Sequence, residues 1–221
     1  MGAMPLAPRL ATCLLLPLLA ACTTTAAPPA VDDGLRGLVG RMPARIGAFE
    51  LQESMANKAS DTAWTLRYLH APSGTVASVM LSTPGQPSVP DGPNSPQVQT
   101  IVNALSLGVQ AAAGGAGLTR MPDFGAARTG RAPEVRCTDL RMQPPQGPLQ
   151  RVLVCATGVA DSLAAVSLVA RHPPEAGDAA KVFMTSFVLQ AMEALRTPPG
   201  AEPPPIDAIQ PATGAGRVFR L

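Results

Sequence analysis

Cys137 and Cys155 stand at equal distances from Gln146, the middle of a Pro-Pro-Gln-Gly-Pro run that reads as a turn. On either side, Glu134 to Met142 and Arg151 to Val159 have the apolar and β-branched content of strands. A hairpin folded about Gln146 sets residue 137 opposite 155, 138 opposite 154 and 140 opposite 152. Directly opposed residues have Cβ atoms about 4.5–5.5 Å apart, close to what a disulfide needs. Such a bridge would brace the hairpin in mid-sheet, and closing a loop of this size adds about 3 kcal/mol, less any strain. Register matters because a slip of one residue turns every side chain to the wrong face. Two buried free cysteines are the alternative, and the folding compartment decides between them. Neither cysteine belongs to a C-x-x-C pair, so nothing points to redox work.

The compartment is written at the start of the chain. Met1 to Arg9 carries one positive charge, and Leu10 to Ala21 is an apolar run of 12 residues. That is too short to span a bilayer, which takes about 20 residues, but it suits an export signal. The end of the run, Leu19-Ala20-Ala21-Cys22, resembles the lipobox of bacterial lipoproteins cut by signal peptidase II. The resemblance implies removal of residues 1–21, diacylation of the Cys22 sulfur and acylation of the new N-terminus. Three acyl chains, at about 0.8 kcal/mol per buried methylene, anchor far more firmly than one myristoyl group. Thr23 rather than Asp after the cysteine implies, by the same resemblance, sorting to the outer membrane with the domain on the periplasmic face. An ordinary signal followed by a chance cysteine is the alternative. On the lipoprotein reading Cys13 leaves with the leader, Cys22 is acylated, and Cys137 and Cys155 remain in an oxidising compartment.

Without its leader the chain keeps enough residues for one domain with a real core. The full chain has 17 Lys+Arg against 15 Asp+Glu, and loss of Arg9 leaves it near neutrality. That argues against nucleic acid as a partner, which requires a strongly basic face. Aromatics make up only 3% of the chain, which leaves little for stacking on bases or sugars.

After the 1–21 signal, residues 22–33 read as the lipidated cysteine and a small, polar, proline-bearing tether. Residues 34–197 read as a single domain, and 198–221 as a Pro-rich tail with a candidate last strand at Arg217–Leu221. Asp32 or Asp33 is placed to cap a short helical turn carrying Leu35, Leu38 and Val39, stopped at Pro43. Strands are expected at Ile46–Gln52, Trp64–His70 and Thr75–Leu81. The last two join through Ala71-Pro72-Ser73-Gly74, a type I turn, which sets Tyr68 opposite Ala77, Leu66 opposite Val79 and Trp64 opposite Leu81. Ser95 and Pro96 open a helix bearing Val98, Ile101, Val102, Leu105 and Val109 at helical spacing. A short edge strand within Gly125–Arg131 precedes the cysteine hairpin, and Leu163–Arg171 supplies a further strand. Asp178 is placed to cap a second long helix with Phe183, Met184, Phe187, Val188, Met192 and Leu195 on one stripe.

The expected fold is α+β, an antiparallel sheet of about six strands in the order βββα-βββα covered by two long helices. In element order, and in the opening Pro43, Ile46, Gly47, Phe49 (P-x-x-I-G-x-F), the domain resembles the PsbP-like and DcrB-like exported proteins.

No catalytic, cofactor or metal-binding motif is present. His70 and His172 lie at strand ends with no second ligand type beside them in sequence and read as surface residues. Trp64 and Tyr68 would suit a sugar platform, but their strand partners place them in the core. Scattered methionines read as core filler. Arg128, Arg131 and Arg136, with Arg141 and Arg151 nearby, form a cluster that would suit an anionic ligand such as a lipid headgroup or a peptidoglycan carboxylate. Solvated positions, some opposite Asp139, are the plainer reading of the same arginines. The chain is therefore expected to be a non-enzymatic envelope lipoprotein without cofactor, bound to the membrane by its lipid and to an envelope protein or peptidoglycan by its domain. The alternatives are a hydrolase whose serine and aspartate meet only in the fold, and a carrier of a small apolar ligand or lipid. The exported protein, alkylated without reductant, is expected to show no free thiol at Cys137 or Cys155; two alkylated cysteines in folded protein would remove both the bridge and the register that predicts it.

Overall fold

The computed structural model describes residues 34–57, 62–83, 88–114, 117–144, 146–171 and 177–198 and the backbone of 218–220. The expected leader, Cys22 and tether lie outside the described residues, as does His172.

The β-strands build on two hairpins that pair as their turns dictate. β3 (Ala63–His70) and β4 (Thr75–Ser82) set Tyr68 against Ala77, Leu66 against Val79 and Trp64 against Leu81. β7 (Val135–Gln143) and β8 (Gln150–Val159) set Thr138 against Val154, Leu140 against Val152 and Cys137 against Cys155. The two cysteines are joined in a fully buried disulfide. β9 (Ser162–Arg171) follows β8 through Ala160 and Asp161, both at positive φ, the geometry of a type I′ hairpin turn. β9 then pairs antiparallel with β4, joining the two hairpins into one sheet.

The fold class is α+β with a large antiparallel sheet, but the expected strand count and order need correction. Among the described residues there are ten strands and three helices. The expected first strand is broken at Gly47, whose φ of 55° turns the chain between β1 (Arg45–Ile46) and β2 (Phe49–Ala56). The single short edge strand expected within Gly125–Arg131 becomes two, β5 (Gly117–Arg120) and β6 (Phe124–Ala127). These share the outer edge of β7 end to end, β5 opposite Leu140–Gln143 and β6 opposite Val135–Cys137. Four residues each, stepped at Pro122, are too short to show a period in sequence. β10 (Val218–Arg220) runs parallel to β6. The sheet order is β1-β2-β3-β4-β9-β8-β7-β6-β10, with β5 beside β7.

The helices divide between the two faces. α1 (Leu35–Arg41) and α3 (Ala179–Arg196) share one core with Leu66, Tyr68, Val79, Cys155, Val166 and Leu168. α2 (Pro96–Ala112) sits on the other face, where Val98 and Val102 meet Ala156 and Ala165, and Leu105 and Val109 meet Leu140, Val152 and Val154. Ser95 caps α2, its hydroxyl accepting from the Val98 amide at 3.2 Å. Tyr68 lies wholly in the core, donates to the Pro43 carbonyl at 2.9 Å, and is pushed up to about 12 by burial.

Arg151 corrects the reading of solvated arginines opposite Asp139. It is 1% exposed and makes a bidentate pair with Asp139, at 2.9 and 2.6 Å, beneath the start of α3. Its remaining donors reach the Gly177 carbonyl at 3.2 Å and the Asp178 carboxylate at 3.3 Å. Asp178 stands at the N-cap of α3 as expected, yet makes no side-chain cap bond.

Among the described glycines, Gly158 has the closest neighbour. Gly92 and Gly158 exchange backbone bonds at 3.0 and 2.9 Å, and a Cβ on Gly158 would stand 2.0 Å from the Pro90 carbonyl oxygen. Gly158→Ala must therefore displace the strap that leads into α2 and is expected to cost about 1–3 kcal/mol or more. Gly40→Ala, on helix α1 with nothing near its Cβ, is expected to be neutral or to gain up to about 1 kcal/mol. Urea or thermal melts of the two variants check this; equal stabilities would refute the close approach.

Candidate functional site

Coverage of the α2 face is uneven. α2 lies over β7, β8 and β9, its cluster reaches Met80 of β4, and no described helix covers the same face of β2 and β3 or the Val76 end of β4. Strand pairing aligns Val169, Val76 and Leu69 in one row across this open half. Ser167, Ser78, Arg67 and Glu53 make the next row, and Met80, Thr65 and Met55 the one after. Val169 is 41% and Met55 47% exposed, and Leu69, Val76 and Met80 are half-buried. The burial of β4 alternates between full and partial along its length, as follows when one face meets a helix layer and the other does not. With strands about 4.8 Å apart, the open strip is roughly 15 Å wide. A row of Val169, Val76 and Leu69 that ends in Glu50, and a row in which Thr65 separates Met80 from Met55, thus flank a polar row in which Arg67 and Glu53, of opposite charge, are direct strand partners. The strip can bury apolar surface and make a few directed hydrogen bonds through Ser167, Ser78, Arg67 and Glu53.

The sequence-predicted residues lie elsewhere. His70 Nδ1 is 2.7 Å from the Ser73 hydroxyl, which is 2.7 Å from that of Thr75. A serine beside a histidine is what the hydrolase alternative asks for. Here the pair closes the β3–β4 turn: the Ser73 amide donates to Nδ1 and the Thr75 amide donates to the Ser73 oxygen, each at 3.3 Å. The imidazole packs against Phe49 and Phe183, with centroids 5.1 and 4.8 Å away. Among the described residues, no three His, Cys, Asp or Glu side chains gather to hold a metal ion. Trp64 and Tyr68 face the α1–α3 layer, the indole donating to the Ser54 hydroxyl at 2.8 Å.

Arg128, Arg131 and Arg136 are not brought together. Arg128 grips Glu134 through two bonds of 2.9 Å and reaches Glu193 of α3 at 2.6 Å. Arg196 closes the same network on Glu134 at 2.7 Å. Arg131 is exposed in the turn that follows β6. Arg136 falls in the row of Gly125 and Ala156 on the α2 face, away from Arg128, with Asp123 3.6 Å from its guanidinium. The residues around Glu134 thus fasten the β6–β7 corner to the last turn of α3. Burial alone would raise the Glu134 carboxyl, but the hydrogen bond and charge of Arg128, with Arg196, outweigh it and hold the group below the usual carboxylate range.

No protein-family model and no curated protein matches the chain. Two solved structures are similar in part. One is the Ran-binding protein Mog1p of Saccharomyces cerevisiae, 7% identical over 67% of this chain and 92% of that one, with a TM-score of 0.31. The other is protein CV1439 of Chromobacterium violaceum, 7% identical over 74% of this chain and 83% of that one, with a TM-score of 0.22. At these values neither bears on function.

The Glu134 network predicts a pH dependence. A carboxyl whose folded pKa lies below its unfolded value contributes stability above the unfolded value, about 4.3, and loses it as pH falls through the folded one. Glu134→Gln is expected to cost about 1–3 kcal/mol at pH 7, with the gap to the parent narrowing as melts are repeated from pH 5 toward pH 3. A gap that stays constant across this range would show that Glu134 carries no such linkage.

Proposed function

We propose that the chain is a lipid-anchored lipoprotein of the bacterial cell envelope, held at Cys22 to the outer membrane and facing the periplasm. Its domain is an accessory that docks another envelope protein on the open half of its sheet and performs no catalysis itself. The observation that carries this reading is the row of Val169, Val76 and Leu69 on the half of the sheet that no described helix covers, since apolar surface left open on an otherwise close-packed domain marks interaction sites. The polar row through Arg67, Ser78 and Ser167 supports a protein partner over a lipid one, because it offers directed bonds between two apolar margins. Leu19-Ala20-Ala21-Cys22 supports the anchor.

Two measurements test the parts separately. Cys22→Ala is expected to release the domain from the membrane fraction or leave it at its precursor mass; membrane-bound protein of mature mass would place the anchor elsewhere. A photo-crosslinking residue at Val169 is expected to give a discrete adduct in intact cells, and the same residue at Gly40 none. No adduct from position 169, or equal adducts from both positions, would overturn the docking face, and an adduct of twice the chain's mass would identify the partner as a second copy.

A further inference from the structure

A second site, independent of the anchor and of the open strip, lies where the approach to α2 meets the β6–β7 corner. It is a groove of about 480 Å³ walled by Pro93, Asn94, Pro122 and Pro133, with Asp123 and Arg136 inside it. That volume falls within the range of small-molecule pockets, about 300–1,000 Å³. Its floor is built closely: a Cβ on Gly125 would stand 2.9 Å from the Pro133 ring, so the proline packs directly on the β6 backbone.

The charges inside do not balance. The Asp123 carboxylate accepts from Arg120 at 3.0 Å and from the Thr138 hydroxyl at 2.5 Å. Arg120 spends a further bond on Asn103 at 3.1 Å. Arg136 stands 3.6 Å from the same carboxylate, beyond hydrogen-bond range, and its Nε is buried with no partner. Burial would raise the Asp123 carboxyl, but the Thr138 and Arg120 hydrogen bonds and the charges of both arginines hold it below its usual value, so it stays ionised at neutral pH. Two guanidinium groups therefore face one carboxylate, and the surplus charge is on Arg136. The buried Nε is closed to a ligand, and an acceptor in the groove would reach the Nη end of this side chain, which is 32% exposed.

The shape limits what that acceptor belongs to. Three proline rings present C–H surfaces, which pack well against the electron-rich face of a flat aromatic ring. A planar carboxylate matches the end of the guanidinium fork, where the two Nη groups each present an N–H. One surplus positive charge suits a monoanion, whereas a phosphate dianion would meet repulsion from Asp123 at close range. We propose that this groove binds a small aromatic monocarboxylate, its carboxylate on the Nη–H donors of Arg136 and its ring against Pro93, Pro122 and Pro133.

Photolabelling of the full chain in membranes tests this with benzophenone-4-carboxylate as probe and benzophenone-4-carboxamide as its uncharged twin. The carboxylate is expected to label the peptide spanning 117–136, with label about tenfold or more lower for the carboxamide and in Arg136→Gln. Arg136→Lys, which keeps the charge and loses the fork, is expected to fall between. Equal labelling by the two probes, label spread along the chain, or undiminished label in an Arg136→Gln protein of parental melting temperature would each overturn the proposal. Should Arg136→Gln prove less stable, the comparison of the two probes on the unaltered chain decides alone.

Discussion

The register between β7 and β8 is held twice, and the rest of the molecule depends on it. A disulfide joins Cys137 to Cys155, and further along the same hairpin a bidentate ion pair runs diagonally from Asp139, two residues past Cys137, to Arg151, four residues before Cys155. Both lie on the face that meets α3, so one set of constraints fixes the hairpin and seats the helix above it. A buried ion pair is weak evidence for net stability, because desolvation offsets much of the attraction. Its specificity is plainer: a slip of β8 by one residue against β7 would turn Arg151 to the α2 face while Asp139 stayed beneath α3, leaving both charges buried and unpaired. β9 takes its register from β8, β4 from β9 and β3 from β4, so the alignment propagates across the whole sheet.

What was legible in sequence was local. Pro72 and Gly74 define one turn and the Pro144–Pro148 run another, and counting back from each gives the pairs observed in both hairpins. Ser95 followed by Pro96 marks the start of α2 because the serine has no competing partner there. Asp178 shows the limit of that reasoning. It occupies the cap position of α3, but a guanidinium from a strand outbids the helix amides for its carboxylate. The signal for Arg151 was present in the alternation, since residue 151 is in phase with Leu153 and Cys155, and residue 139 with Cys137. An arginine and an aspartate in phase with a buried face, one row apart on paired strands, indicate a buried pair rather than two solvated positions. β5, β6 and β10 had no comparable signal, because short strands on a shared edge are recruited by β7 and β6 and not by their own pattern.

The candidate surfaces were less legible than the fold, for the same reason. Arg128, Arg131 and Arg136 are neighbours in sequence, but alternation and the intervening turn send Arg128 toward α3 and Arg136 toward α2. Proximity along a strand says little about proximity in space when successive side chains point to opposite faces. The open strip follows from widths. A helix about 10 Å across covers two or three strands, so a sheet of this breadth takes two helices on each face. α1 and α3 meet that requirement on one face, and α2 alone serves the other.

An uncovered face on a broad sheet is an aggregation hazard unless it is moderated, and the residues present do so in two ways. Across the middle of the strip, Arg67, Ser78 and Ser167 interrupt the apolar surface, and Arg67 and Glu53 place both charges on it. At the nearest free edge, β2 carries Glu50 and Glu53 and is partly capped by β1, with Arg45 bonded to Glu50 at 2.6 Å. Charged residues on an edge strand oppose the addition of a foreign strand. A partner is thereby steered away from extending the sheet and toward lying across its face, where Val169, Val76 and Leu69 stand side by side and the backbone is already paired. The contact available there is one of side chains, and its specificity rests on the middle polar row.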